Sequence, residues 1–216
     1  MAHIHLEDGS FTLFWVIVWW ACALVVIGIA LYMLRSGNKP DNKKITIAAF
    51  LTAAAFAVFQ VSIPVFGGVH LNLTPLIGIL AGPFLGALIV FIVNILTAAI
   101  GHGGWGLIGA NVLVNFSEVL VAYITFRGLK NLVPGLFSRA GIATFIGLFC
   151  GNVVMIAIIL VSGVQGASQS TSMTLVGLSY LAAVNMGVAV IEAVITGLII
   201  ARIGKARADL LEGNHP

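Results

Sequence analysis

The sequence predicts an all-α integral membrane protein with seven transmembrane helices, its N-terminus outside and its C-terminus in the cytoplasm. Its composition, its apolar runs and the placement of its basic residues predict this fold. Of 216 residues, 60% are hydrophobic and 8% are charged, against roughly 25% charged in a soluble domain. Because this number of charged residues is too small to cover a surface in water, the chain must be solvated by lipid. This excludes a soluble enzyme, a disordered protein, a disulfide scaffold and a nucleic-acid binder.

The apolar runs predict one membrane domain over residues 1–216. A helix needs about 20 apolar residues to cross the hydrocarbon, and Gly82-Pro83 divides the longest run. The first run is not a signal peptide, because an acidic segment precedes it and its length exceeds an h-region. The predicted helices cover residues 11–34, 45–65, 73–81, 84–100, 107–126, 140–161 and 175–201.

The orientation follows from lysine and arginine, which concentrate in cytoplasmic loops. The loops 66–72, 101–106 and 162–174 carry none. With seven helices and the N-terminus outside, every basic residue faces the cytoplasm, and Gly82-Pro83 becomes a cytoplasmic turn. The basic residues are Arg35, Lys39, Lys43, Lys44, Arg127, Lys130, Arg139, Arg202, Lys205 and Arg207.

This topology gathers four histidines on the outer face, where they suggest a metal site. His3 stands third from the amino terminus, so an amine, two backbone nitrogens and its imidazole can chelate a metal in one plane. A square-planar nitrogen set suits Ni(II) or Cu(II) rather than Mg(II) or Ca(II). If Met1 is removed, the amine of Ala2 takes its place and a distant histidine completes the plane. The other outer histidines are His5, His70 and His102.

Polar residues inside the predicted spans form a second group. Asn111, Asn115 and Glu118 share one helix face, and Asn185 and Glu192 lie seven residues apart. Carboxylates in lipid are costly and are usually functional or paired. Two interpretations stay open: protonated carboxyls bonded to the asparagines as interhelical contacts, or a proton or cation path. In this topology neither carboxylate lies near the outer histidines.

Ala49, Ala53 and Ala57 form a ridge of small residues on the second helix. Such a ridge lets another helix approach closely. It serves either internal packing or the docking of a partner membrane protein.

Several motifs carry a family resemblance that covers most of the chain. They are the N-terminal His5-Leu-Glu-Asp-Gly9, the loop Gly67-Gly-Val-His-Leu71, the turn region from Gly78 to Pro83, and the stretch from His102-Gly-Gly104 through Gly109-Ala-Asn111. Here the sequence resembles the substrate-binding (S) components of nickel/cobalt energy-coupling-factor (ECF) transporters, the NikM/CbiM family.

The resemblance implies high-affinity capture of Ni²⁺ or Co²⁺ as the transported substrate, with no organic cofactor, in a prokaryotic cell membrane. It also implies partners: a membrane coupling (T) protein and cytoplasmic ATPase subunits, with a small membrane accessory subunit as a further candidate. The absence of a Walker A motif fits an ATPase on another chain.

The family's ligands are the terminal amine, a histidine near the N-terminus and a loop histidine, which matches His70. Aligned on Asp8-Gly9, the N-terminal histidine is His5; aligned on the free end, it is His3. Amine chelation favours the second alignment, so the predicted ligands are Met1, Ala2, His3 and His70. His5 is the reserve ligand, and His102 is expected to orient a ligand.

Other function classes fit less well. A metalloprotease motif His-Glu-x-x-His and a Ser/His/Asp arrangement are absent from the sequence. The in-helix His-x4-Asp-His motif of secondary nickel/cobalt permeases is also absent. The alternative function is a stand-alone divalent-metal permease or channel that uses Glu118 and Glu192.

Overall fold

The computed structural model describes residue 4 and residues 8–37, 42–60, 62–63, 69–71, 73–101, 103–165 and 171–212. Within these ranges the protein is a bundle of α-helices with one two-residue β-pairing. The helices are α1 (Leu13–Ser36), α2 (Asn42–Phe59), α3 (Thr74–Ala99), α4 (Ile108–Gly128), α5 (Leu136–Ser162), α6 (Thr171–Ala206) and the short α7 (Asp209–Glu212). The strands β1 (Ser62–Ile63) and β2 (Val69–His70) pair antiparallel, with Ser62 opposite His70.

Six helices, α1 to α6, are long and apolar enough to cross a membrane. The prediction of an all-helical membrane protein is therefore confirmed. The predicted second helix, 45–65, ends earlier: α2 stops at Phe59, and the chain then forms the β1–β2 pairing. The other long helices agree with their predicted positions to within five residues at either end.

The predicted helices 73–81 and 84–100 both lie within α3, joined at Gly82. Gly82 has φ +77 and ψ 176, which is not helical, and Pro83 follows it. A Cβ on Gly86 would lie 3.4 Å from Cγ2 of Ile77, whereas nine residues of continuous helix advance about 13.5 Å. The chain therefore folds back at Gly82, as the sequence predicted.

The prediction of seven transmembrane helices is nevertheless wrong in one respect. The segment of α3 before Gly82 begins at Thr74 and is only about 12 Å long, whereas the hydrocarbon is about 30 Å thick. This segment begins inside the bundle, beside the middle of α4, because Thr74 bonds to Glu118. It is a half-length helix rather than a seventh span.

Contacts between distant segments divide the bundle into two ends. At one end, the indole of Trp20 donates to the carbonyl of Trp105 (3.3 Å), and the amide of Gln165 donates to the carbonyl of Ser10 (2.8 Å). We call this the N-terminal end.

At the opposite end, Asp209 forms ion pairs with Lys43 and Arg207. Hydrogen bonds from both cations hold the pKa of the Asp209 carboxyl well below its usual range. The side chains of Arg127 and Arg139 line a cavity here beside α7. This basic end therefore carries cations from four separate parts of the chain, which agrees with the predicted clustering of charge.

The half-length segment of α3 packs tightly against α4. A Cβ on Gly78 would lie 3.1 Å from Cα of Val119, and one on Gly86 would lie 2.6 Å from Cγ1 of the same residue. Both limbs of α3 therefore contact one point on α4, and glycine allows this close approach. The contact fixes the depth at which the segment before Thr74 enters the bundle.

Candidate metal site

His70 is the predicted metal ligand that the structure describes. It ends β2 and is buried, with 5% of its surface exposed. Its imidazole stacks on the ring of Phe59, the last residue of α2, with centroids 5.5 Å apart and planes 21° apart. This stacking places an imidazole inside the bundle rather than at its surface.

The chain that follows His70 is held by two buried carboxylates. The backbone N–H of Leu73 donates to Oε1 of Glu192 (3.0 Å), and the hydroxyl of Thr74 donates to Oε2 of Glu118. Both glutamates are fully buried. They lie at the N-terminus of α3, where the helix dipole favours negative charge.

Leu73 itself has a backbone conformation that side-chain-bearing residues rarely adopt. Its φ of 56 and ψ of 15 lie in the left-handed region, which costs free energy for a residue with a Cβ. The hydrogen bond from its backbone N–H to Glu192 and its buried side chain hold Leu73 in this conformation. The turn directs the chain from the His70 segment into α3.

These contacts bear on the interpretations that the sequence left open for the two glutamates. Bonding to the asparagines was one of them, and the structure gives the two carboxylates hydrogen bonds to Leu73 and Thr74. Asn185 instead donates to Asn152 (2.9 Å). The carboxylates were also predicted to lie away from the outer histidines. In the structure they bind the chain three and four residues after His70, within about 14 Å of it along even a fully extended chain.

The N-terminal segment is threaded into the bundle at Ile4. The Ile4 amide donates to Oδ1 of Asn111 (2.8 Å), and Nδ2 of Asn111 donates back to the Ile4 carbonyl (3.4 Å). The Ile4 side chain is 1% exposed and packs in an apolar cluster with residues of α4 and α5. The amide of Asn111 thus binds the backbone between His3 and His5.

Asp8 fixes the next part of this segment. Its carboxylate accepts hydrogen bonds from the amides of Trp105 (3.1 Å) and Gly106 (2.8 Å). These amides begin a 3-10 turn that leads into α4, and such orphan N–H groups favour an acidic partner. A Cβ on Gly104 would lie 2.9 Å from Cγ of Asp8, so glycine is needed at this contact.

One face of α4 therefore holds both segments. Asn111 binds the N-terminal segment and Glu118 binds the start of α3, seven residues or about 10 Å apart along the helix. Between them lies Asn115, which is buried and whose Oδ1 has no hydrogen-bond partner among the described residues. The spacing Asn111, Asn115, Glu118 indicated a polar face, but not that it binds chain segments.

The remaining predicted site residues are Met1, Ala2, His3, His5 and His102, and they lie outside the described residues. Within the described ranges, no group of three or more His, Cys, Asp and Glu side chains is placed to hold a metal ion. What the structure adds is the two supports, at Ile4 and at Leu73–Thr74, on either side of the polar face of α4.

Comparison with known proteins bears on this arrangement. The family described as the cobalt uptake substrate-specific transmembrane region, CbiM, matches residues 5–210. The chain belongs to the CbiM family. The match confirms the resemblance inferred from the sequence motifs, and with the six candidate spans it makes the chain a multi-pass membrane protein.

Individual relatives agree with this membership. The cobalt transport protein CbiM of Sorangium cellulosum is 27% identical over 215 residues, covering 97% of this CbiM-family chain and 95% of the relative. A protein of Archaeoglobus fulgidus, provisionally named a fused nickel transport protein NikMN, is 29% identical over 97% of this chain and 68% of its own length. A crystal structure described as a transition metal transporter has the same fold, with a TM-score of 0.80, 19% identity and 98% coverage of both chains.

The two hydrogen bonds between Asn111 and the Ile4 backbone can be tested by mutation. In Asn111→Leu the N-terminal segment loses its backbone partner, and each lost hydrogen bond is worth about 1 kcal/mol. We expect the Ile4 amide to exchange hydrogen about tenfold faster, measured by hydrogen-exchange mass spectrometry of the full chain. Asn94→Leu is the matched control, because Asn94 is equally buried and donates to Val90 of its own helix. Equal exchange rates at Ile4 in both variants would contradict the role of Asn111 in holding the N-terminal segment.

Proposed function

We propose that this chain is the substrate-specificity subunit of an ATP-driven ECF transporter, and that it captures Ni²⁺ or Co²⁺ at the outer face with high affinity. One observation carries the proposal: Asn111 binds the backbone at Ile4, on the α4 face that also holds the segment after His70. The names of the relatives, cobalt transport and nickel transport proteins, support these two ions as substrate.

The proposed ligand residues are Met1, Ala2, His3 and His70: the terminal amine, backbone nitrogen and imidazole ring of the Met1–His3 segment, together with the ring of His70. Nitrogen ligands in one plane suit Ni²⁺. The anchor at Ile4 supports this set because it fixes the backbone directly beside His3. His5 is the other neighbour of Ile4 in sequence, so His5 is the alternative ligand, and His102 is proposed to orient a ligand by hydrogen bonding.

The amine gives the metal site its sharpest test. Adding two residues before Met1 displaces the amine without altering any side chain, and His70→Ala removes one ring. We expect each change to weaken Ni²⁺ binding about 100-fold or more, since 1.4 kcal/mol is tenfold and a lost chelate ligand costs several kcal/mol. Isothermal titration of the purified full chain with Ni²⁺ measures this.

Two comparisons sharpen the result. His3→Ala should weaken binding more than His5→Ala if the free end sets the register, and His215→Ala in the C-terminal tail should leave it unchanged. If the extended chain still binds Ni²⁺ tightly in a nitrogen plane, the amine chelate is refuted. His5, His70 and His102 then become the ligands.

The proposed partners are a membrane coupling protein and cytoplasmic ATPase subunits, with a small accessory membrane subunit as a further candidate. The exposure of the alanine ridge supports a docking role. Ala49, Ala53 and Ala57 are exposed, whereas the opposite face of α2 buries Leu51 and Ala55. Among the residues that the structure describes, the ridge is therefore not buried by packing, and it is available to another helix.

A bulky residue on this ridge separates docking from metal capture. We expect Ala53→Leu to abolish ATP-dependent uptake with the partners and to leave Ni²⁺ binding by the chain alone unchanged. Ala21→Leu is the control, because Ala21 is an exposed alanine on α1. Reduced Ni²⁺ binding in Ala53→Leu would contradict the assignment. ATP-independent uptake by the reconstituted chain alone would instead support the permease that uses Glu118 and Glu192.

We propose that the N-terminal end lies outside and the basic end in the cytoplasm. The cations at the basic end support this orientation through the positive-inside rule. In a background without Cys22 and Cys150, Gln165→Cys should react with an impermeant thiol reagent added to intact cells. Ser36→Cys should react only after permeabilisation. The reverse labelling pattern would overturn the orientation.

A further inference from the structure

A cavity of about 380 Å³ opens at the basic end of the bundle. It lies between the C-terminal end of α4, the start of α5, the end of α6 and α7. Three of its lining residues are cations, Arg127, Lys130 and Arg139, and among its apolar lining residues are Ile79, Phe126 and Leu136. None of the described residues that line it is acidic.

The cations differ in depth. Arg127 and Lys130 are exposed, whereas Arg139 is partly buried. The guanidinium of Arg139 lies 4.3 Å above the ring of Phe126, and its buried Nε has no hydrogen-bond partner among the described residues. A residue that lines the cavity therefore carries a buried N–H donor that can still accept a hydrogen-bonding partner.

One acid beside this cavity, Asp209, is already paired with cations that do not line it. Asp209 follows the lining residue Ala208, but its carboxylate is engaged by Lys43 and Arg207. The N-terminus of α5 adds to the positive potential, because its N-cap Gly135 provides no side-chain acceptor for the first amides. Such amides favour an anion.

We infer that this cavity binds the phosphate group of an anionic phospholipid. The three cations and the free end of α5 would hold the phosphate oxygens, while the apolar walls would receive the glycerol and the first part of the acyl chains. A cavity of this volume lies within the range of small-molecule sites, about 300–1,000 Å³. Basic pockets between membrane helices near the headgroup level suit such lipids.

Inorganic phosphate shares the chemistry that the cations recognise, but the walls favour the lipid. Ile79, Phe126 and Leu136 offer nothing to a free anion, whereas they complement hydrocarbon. The cavity also lies at the ends of α4, α5 and α6, which is the level of the headgroups in a spanning orientation. The lipid and the free ion can therefore be separated by experiment.

Native mass spectrometry of the full chain in detergent tests the site. We expect the wild-type chain to retain one phosphatidylglycerol in preference to phosphatidylcholine. The double variant Arg127→Gln/Lys130→Gln should bind it at least tenfold more weakly, because each cation near a lipid headgroup contributes about fivefold. Arg139→Gln should weaken it similarly, and Arg139→Lys should restore part of the binding.

The control is Arg35→Gln, which removes an exposed cation at the end of α1 outside the cavity and should leave lipid binding unchanged. A melting curve for each variant shows whether the fold is intact. In the phosphate arm, millimolar inorganic phosphate should not displace the lipid. Displacement by phosphate alone would show a free-anion site, and equal binding of both lipids by all variants would overturn the proposal.

Discussion

Two buried carboxylates determine where the segment before α3 lies. Backbone without helical hydrogen bonds is tolerated at membrane depth only where protein satisfies its polar groups. Glu192 accepts the Leu73 amide and Glu118 accepts the Thr74 hydroxyl, so the non-helical chain can end deep in the bundle. Without these acceptors, the buried donors of Leu73 and Thr74 would lose the hydrogen bonds that hold the start of the half-length helix beside the middle of α4.

The carboxylate of Glu118 requires its own space, which α5 provides. A Cβ on Gly151 would overlap the Glu118 side chain, and one on Gly147 would lie 3.0 Å from the Glu118 carbonyl. Small residues on α5 thus let α4 approach closely and enclose the carboxylate at the same time. The same two glycines therefore serve both purposes: they allow close helix packing, and they leave the space that the Glu118 side chain occupies.

Much of the fold follows from the sequence because hydrophobic periodicity and helix breakers are local signals. The helices, the turn at Gly82-Pro83 and the shared face of Asn111 and Glu118 could all be predicted in this way. What these polar residues bind could not. Asn111 bonds to a residue 107 positions away and Glu192 to one 119 positions away, and spacing along one helix carries no information about such partners.

The end of α2 and the anchor at Ile4 were also missed. The run 45–65 is mostly apolar, and the predicted helix extends to its last residue, although Gln60, Ser62 and the helix breaker Pro64 follow the observed end of α2 at Phe59. The Ile4 side chain stands in a polar segment, yet it packs between α4 and α5. An isolated isoleucine between two histidines was the available signal, and it indicates a buried anchor rather than a solvated tail.

The two faces of α2 connect the histidine to the outside of the bundle. Phe59 ends this helix and stacks on His70, while Ala49, Ala53 and Ala57 lie exposed along the same helix. An α-helix moves largely as a rigid element, so a displacement of the ridge would also displace Phe59. Such a displacement would disturb the stacking of Phe59 on His70 and the packing of Leu51 and Ala55 against α3 and α4. By contrast, the segment after His70 is tied to α4 and α6 through Glu118 and Glu192, so the two sides of His70 are held to the bundle by different contacts.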